Sequence, residues 1–319
     1  MKKECNVLDL FCGAGGLSEG FRQAGFRIIL GIDHNKNALN TFKKNHPESE
    51  IILGDLTRIT KKNIKKAVHD KKIDIIIGGP PCQGFSMAGK RIPNDPRNSL
   101  FREYLRFVRE IRPKMFVMEN VRGLLSMKNG RGKRVIDIIL GEFGRLKDYS
   151  TVVYKVNSAD YGIPQIRQRI FVIGVKKSCK FNFPEPTHAR EKWVSVKNVL
   201  MNRNKIDKRY FYSDKLIKGF KRREKENKKR NFGFGWRFID PNKPSYTISA
   251  RYWKDGAEAL VKYSSKKIRR LTPRECALIQ SFPKNYRFEG SEREIYQQLG
   301  NAVPPKLAFC IANAIKATL

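Results

Sequence analysis

Through its first half the chain alternates short apolar runs with stretches of helical period. Residues 6–10, 27–32, 73–77, 115–119 and 151–156 read as strands, and 170–175 (IFVIGV) as a further one, antiparallel and at the sheet edge. Continuous β-branched runs such as IDIIIGG suit strands buried on both faces. Helical patterns occupy residues 99–111 and 132–143 between them. Strands alternating with helices predict an α/β fold: a mostly parallel, Rossmann-like sheet with helices on both faces.

After Val175 the texture changes. Residues 183–268 are basic, punctuated by Gly and aromatics, and poor in helical period, most densely at 218–238 (KGFKRREKENKKRNFGFGWRF). A helical pattern resumes at 271–282 (LTPRECALIQSF), and QLGNAVPPKLAFCIANAIKATL closes the chain with a turn, a Pro-Pro helix start and an amphipathic helix. The expected division is a larger body from residues 1–184 and 290–319, with a smaller, irregular or β-rich body and a hinge from 185–289.

Two segments change this picture chemically. The opening VLDLFCGAGGLSEGF is a buried strand, a glycine turn and a helix start, in which Gly13, Gly15 and Gly16 let backbone approach a ligand closely. Asp33 ends the next strand where a βαβ unit places the acid that holds a ribose, and Asp55 in GDLT offers a second carboxylate for an adenine amino group. Ser18 stands where a dinucleotide fingerprint wants its third Gly, which disfavours NAD; the turn would equally serve strand–helix packing alone. In DIIIGGPPCQGFSMAGKR a buried strand runs into two glycines and two prolines. Pro80 and Pro81 stiffen the loop and put Cys82 at the strand's carboxyl end, the edge where open α/β sheets bind ligands.

Composition narrows the partners. Sixty-six Lys and Arg against 30 Asp and Glu leave a formal charge of +36, which favours polyanions through counterion release but does not separate DNA from RNA or an anionic membrane. None of the 6 cysteines forms a CxxC pair, so neither a zinc site nor a disulfide framework is expected. No signal peptide or membrane-length apolar run is present, so a cytoplasmic chain with reduced thiols and no membrane partner is expected.

DLFCGAGG, PPCQGFS, MENVRGLL, QIRQR, RRLTPRECALIQSFP and QLGNAVPP, in that order, resemble the motifs of the cytosine-5 DNA methyltransferases, here of the bacterial restriction–modification type. The resemblance spans nearly the whole chain and leaves only about residues 185–267 unmatched. It implies S-adenosylmethionine as donor, S-adenosylhomocysteine as product and no metal. It also implies a monomer acting on double-stranded DNA, with nucleoid association when bound and a cognate restriction endonuclease as companion.

The same resemblance assigns roles. Cys82 attacks carbon 6 of a flipped cytosine as a thiolate, so that carbon 5 takes the methyl group. Glu119 holds the exocyclic amine and ring nitrogen 3, with a pKa raised by desolvation. Arg167 and Arg169, one residue apart on an extended segment and so expected on one side, contact the base carbonyl and the backbone near the nucleophile. Asn120 braces the loop carrying Cys82, and Gln165 is scaffolding. Phe11 packs on the adenine; Gly13, Gly15, Gly16, Asp33, His34, Asp55, Leu56, Pro81, Leu100 and Asn301 complete the cofactor pocket. His34 stands where some relatives have an aromatic, which removes an expected stacking ring. Residues 84–97 read as a loop that closes on DNA, with Ser86 toward a phosphate and Lys90 and Arg91 as further DNA-binding residues.

The unmatched region is the expected reader of sequence, and the recognition site is not legible. Phe232, Phe234, Trp236 and Phe238 have period two and read as the buried face of a strand rather than a stacking platform. Arg251, Tyr252 and Lys254 are the candidates for base edges, and the basic run 218–230 for phosphates or a solvated face. A tRNA cytosine-5 methyltransferase of the same fold is the nearer alternative, although its Cys-Phe-Thr element has no counterpart in residues 185–267, which lack cysteine. A non-catalytic DNA-binding relative would have lost Cys82, Glu119 or an arginine of QIRQR, and a nicotinamide dehydrogenase would not explain PPCQ.

Overall fold

The computed structural model describes residues 5–81, 100–129, 132–229, 236–254 and 256–319. They form two compact units. The larger comprises residues up to Asn157, Gln168–Glu185 and Pro305–Leu319; the smaller comprises Ser158–Arg167 and Pro186–Pro304.

In the larger unit the six expected runs become strands, and a seventh, Glu50–Leu53, joins them. They are β1 (Asn6–Leu10), β2 (Arg27–Asp33), β3 (Glu50–Leu53), β4 (Ile75–Gly78), β5 (Met115–Val121), β6 (Tyr149–Asn157) and β7 (Gln168–Lys176). Their order in one sheet is β3-β2-β1-β4-β5-β7-β6. The pairs from β3 through β5 are parallel, and β7 is antiparallel to both β5 and β6. The antiparallel strand expected at the edge therefore lies one position inside it. β6, paired with β7 over its full length, forms the edge.

Helices cover both faces. α3 (Lys61–Ala67), α4 (Leu100–Ile111) and α5 (Val135–Gly144) share one core with Leu8, Leu10, Leu30, Ile32 and Ile76. α1 (Gly16–Gln23), α2 (Lys36–Asn45) and α9 (Pro305–Thr318) lie on the other face: Ser18 reaches Asp9, Phe42 packs under Gly31, and α9 packs on α1. Lys316 Nζ donates to the Ala24 carbonyl at 2.8 Å, and Leu307, Ile311 and Ile315 are fully buried. Each such burial is worth roughly 1.5–3 kcal/mol. The larger unit is thus built from both ends of the chain.

The smaller unit is irregular but not β-rich among the described residues. It holds α6 (Asp214–Lys229), a two-stranded ribbon of β8 (Leu260–Lys262) and β9 (Ile268–Arg270), α7 (Pro273–Ile279) and α8 (Glu292–Asn301). Residues 158–167 and 290–304, expected with the larger body, cluster here instead, and Tyr296 and Leu299 of α8 lie in this unit's core. The 16-residue α6 falls in the stretch read as lacking helical period. Only Ile217 and Phe220 of it are buried, so its apolar face is too narrow to register as a period. Trp236 and Phe238 do pack inward, Trp236 stacking on Phe220 with ring centroids 5.4 Å apart. Phe232 and Phe234 lie outside the described residues.

Candidate active site

The parallel strands β1 to β5 deliver their carboxyl ends to one edge of the sheet, and there stand Phe11, Asp33, Asp55, Pro81 and Glu119. The turn after β1 is left-handed at Phe11 (φ 61°), Gly13 (φ 53°) and Gly15 (φ 81°). Glycine meets that requirement at two of the three positions without a Cβ penalty. Gly16 opens α1, and Gly15 caps it without a side-chain bond. The Gly13 N–H donates to Asp33 Oδ2 and the Asn35 N–H to Asp33 Oδ1, each at 2.8 Å. The Asp33 carboxylate is thereby fixed beneath the glycine turn, with further lone pairs for a diol.

The Gly54 N–H donates to the Asp33 carbonyl at 3.0 Å, which joins the chain after β3 to the end of β2. Asp55 is exposed, and the backbone N–H and hydroxyl of Thr57 hold its carboxyl below the ordinary range, so it stays ionised. Leu56 is buried, and its carbonyl accepts from Arg106 Nη2 at 2.9 Å. Leu53 beside it is 52% exposed, an apolar surface at the same edge. His34 is exposed with Nδ1 3.4 Å from Asp33 Oδ1, while Leu100 and Pro81 are half-buried. Two carboxylates flanking an apolar ledge beside a glycine turn fit the ribose, adenine and sulfonium tail of S-adenosylmethionine. Asn301 lies at the end of α8 in the smaller unit and is exposed.

On β5 and β7, Glu119 stands opposite Phe171 and Arg169 opposite Val121, which makes Glu119 and Arg169 diagonal neighbours on one face. Arg169 Nε lies 2.8 Å from Glu119 Oε1, with both side chains nearly buried. Burial pulls the Arg169 guanidinium below its usual value, and Glu119 works against that. A Cβ at Gly79 would stand 3.1 Å from Glu119 Oε2, so the small residue after β4 leaves the carboxylate room. Asn120 Nδ2 donates to the Pro80 carbonyl at 3.0 Å, bracing the proline segment. Cys82, Ser86, Lys90, Arg91 and the rest of 84–97 lie outside the described residues.

Arg167 departs from its expected role. It is completely buried in the smaller unit, where Nη1 donates to the Ile248 carbonyl at 3.1 Å and Nη2 to those of Gly300 and Ala302 at 2.7 and 2.9 Å. The two-residue alternation shared with Arg169 fails because β7 begins at Gln168, so Arg167 precedes the strand. Gln165 also ties backbone, its Oε1 accepting from the Ile248 N–H at 3.1 Å. Tyr252 is likewise no base reader. Its side chain is 0% exposed, its hydroxyl donates to the Ala259 carbonyl, and it accepts from the Leu271 N–H. Arg251 and Lys254 are exposed, the latter against the Trp253 ring.

One polar pair beside the glycine turn escaped the sequence reading. Asp9, 1% exposed in the middle of β1, accepts from Ser18 Oγ at 2.6 Å. Its only sequence signal is an acid inside an apolar run. Burial, with the Asp33 charge added to it, pushes Asp9 up to about 7 despite the Ser18 bond. Burial also pulls His46 down to about 4, against the pull of Glu19. The two slopes oppose each other. Asp9, raised above its unfolded value, contributes stability that is lost as pH climbs toward 7. His46, depressed, contributes stability that is lost as pH falls from about 6.5 toward 4. Asp9→Asn removes the first slope alone. The melting temperature of this variant, relative to the parent, is therefore expected to rise between about pH 4 and 7. A difference that stays flat with pH would show Asp9 ionised in the ordinary acid range.

Among the described residues no group of three or more His, Cys, Asp or Glu side chains is placed to hold a metal ion. No helix there is long and apolar enough to cross a membrane.

The model for the C-5 cytosine-specific DNA methylases matches residues 5–317. The Type II methyltransferase M1.HphI of Haemophilus parahaemolyticus is 35% identical over 97% of this chain and 86% of its own length. M1.ScrFI of Lactococcus lactis subsp. cremoris is 37% identical over 98% of this chain and 78% of its own. The fold also matches that of the S. pombe Dnmt2 methyltransferase, with a TM-score of 0.76 at 18% identity over 98% of this chain and 99% of that one. The chain belongs to the C-5 cytosine-specific DNA methylase family.

Proposed function

We propose that this DNA cytosine-5 methyltransferase acts on a cytosine swung out of a specific duplex sequence, with Cys82 as nucleophile and Glu119 and Arg169 as the groups that hold the base. The observation that carries the reading is the buried Glu119–Arg169 pair, one residue from an asparagine that fixes Pro80. Cys82 is two peptide links beyond Pro80 in the sequence, so the brace and the base-holding pair serve the same small region.

Carbon 5 of cytosine is a weak nucleophile. A thiolate adding to carbon 6 forms a C–S bond and moves the ring's electron pair toward carbon 5. Glu119, at the end of β5, accepts from the exocyclic amine and keeps a proton at ring nitrogen 3, where positive charge favours addition. Arg169 orients the Glu119 carboxylate and offers its remaining N–H groups to the base carbonyl. S-adenosylmethionine, the donor used by methyltransferases of this family, supplies an electrophilic methyl group; Asp33 would hold its ribose and Asp55 its adenine amine. The carbon-5 proton then passes to solvent, its electron pair restores the ring double bond, and the C–S bond breaks to release Cys82 as the thiolate that entered.

The smaller unit reads the sequence in this proposal, with Arg251 and Lys254 as its exposed candidates. The chain acts as a cytoplasmic monomer, and the methyl mark protects its own site from a companion endonuclease. The test is covalent trapping on duplex DNA containing 5-fluorocytosine, which cannot lose its carbon-5 substituent as a proton. An adduct requiring both S-adenosylmethionine and Cys82, and absent in Cys82→Ser, is the expected result. An adduct on tRNA but not on sequence-diverse duplex would overturn the substrate.

A further inference from the structure

The smaller unit carries an open pocket of about 320 Å³ whose lining includes Arg203, Ile206, Lys208, Phe211, Lys266 and Lys267. Its four cations arrive from three places. Arg203 lies in a one-turn helix (Arg203–Lys205) capped by Asn202, and Lys208 in a second (Lys208–Tyr210) capped by Asp207. Lys266 and Lys267 lie in the turn between β8 and β9, where both N–H groups donate to Ser264 Oγ. The Phe211–Arg269 bridge joins the turn's strand to the segment after Lys208.

No acidic side chain lines the pocket. Of the acids nearest in sequence, Asp207 caps the Lys208–Tyr210 turn and lies 3.8 Å from Arg209, Glu292 pairs with Arg209 at 3.1 Å and Arg270 at 2.8 Å, and Glu275 pairs with Arg269 at 2.7 Å. None of the four pocket cations has a carboxylate partner among the described residues. Arg203 and Lys267 instead lie over the Tyr263 and Phe211 rings at 5.3 and 5.4 Å. Convergent like charges held by capped turns repel one another until an anion stands between them.

We propose that this pocket is a phosphate seat for the DNA backbone, taking a phosphodiester between Arg203, Lys208 and the Lys266–Lys267 turn. It fixes the smaller unit on the duplex without reading bases. This rests on the reading that the smaller unit faces DNA. A phosphoryl anion could also come from free solution, and the two sources predict different results.

The test uses the full chain and measures duplex affinity against salt concentration for three double variants. Lys266→Ala with Lys267→Ala empties the seat, Lys221→Ala with Lys225→Ala alters α6 of the same unit, and Lys62→Ala with Lys65→Ala removes equal charge from α3. Each lost phosphate contact lowers the log–log salt slope by about 0.9, roughly eightfold in affinity at 0.1 M salt. The seat variant is expected to lose at least one such contact beyond the α3 variant, equally on duplexes of unrelated sequence and with unchanged S-adenosylmethionine affinity. A seat variant matching the α3 variant, while the α6 variant loses slope, overturns the seat and leaves the smaller unit on DNA. Seat and α6 variants that both match the α3 variant overturn both readings. A loss confined to one sequence makes the pocket a base reader. Saturable binding of inorganic pyrophosphate that the seat variant abolishes, with its duplex slope unchanged, assigns the pocket to a free anion.

Discussion

Glu119→Gln is expected to lower the methyl-transfer rate by about 10²–10⁴-fold, the usual contribution of a positioned acid–base group. The substitution keeps the shape of a side chain that is 8% exposed but removes the charge facing Arg169 Nε at 2.8 Å. Burial already opposes the arginine's charge, so its partner's neutralisation leaves a desolvated cation at the mouth of the site. The residues proposed to hold the cofactor, Asp33 and Asp55, lie at the ends of other strands, and affinity for S-adenosylmethionine should change little. Single-turnover methylation with saturating donor, beside a titration of donor binding, separates the two. A loss below tenfold would take Glu119 out of the chemistry.

The largest effect on stability is expected in the smaller unit, at Arg269→Met. Arg269 and Glu275 are both fully buried and paired through two bonds, Nη1 to Oε2 at 2.7 Å and Nη2 to Oε1 at 2.8 Å. Glu275 also closes the capping box of α7, accepting from the Thr272 N–H at 2.8 Å, and accepts from the Met201 N–H at 2.9 Å. One carboxylate therefore serves a helix start, a strand and a distant loop. Removing the arginine leaves that carboxylate buried without its counter-charge, at a cost of about 3–5 kcal/mol. Chemical denaturation of the full chain measures it. Arg269→Met combined with Glu275→Leu should recover part of the loss, since no uncompensated charge then remains buried. A single variant as stable as the parent would mean that water reaches the pair.

Six of the seven strands were legible as short, largely apolar runs, and β1 falls on the residues expected; β3, only four residues long, was not among them. Asp33 and Glu119 were legible for the same reason, as polar residues at or near the ends of such runs. Edge and interior strands of the sheet's antiparallel part were not separable, because partner choice between β6 and β7 is a long-range matter that period two does not encode. α6 was missed because its two buried residues sit among lysines and arginines. Its helix-forming composition was the better signal, and the Trp236 Nε1 bond to Glu224 at 2.9 Å helps to hold it. Tyr252 reads in sequence like any aromatic in a basic loop; only the unit's core, closing around it from residues 196 to 299, hides it. Arg167 and Arg169 show the limit of spacing, which says where side chains point only while both belong to one strand.

The helix α9 has a consequence for biosynthesis. Its partner α1 leaves the ribosome before the stretch from Pro186 to Pro304 is made, and α9 only after it. At roughly 5–20 residues per second, that stretch takes on the order of ten seconds to synthesise. Throughout it the nascent sheet carries α1 with the side that α9 covers, where Gly20 lies against Pro305 and Ala308, still bare. A message interrupted just before Pro305 would yield a product whose smaller unit is complete in sequence and whose larger unit exposes a sticky apolar surface, a natural target for chaperones and proteases.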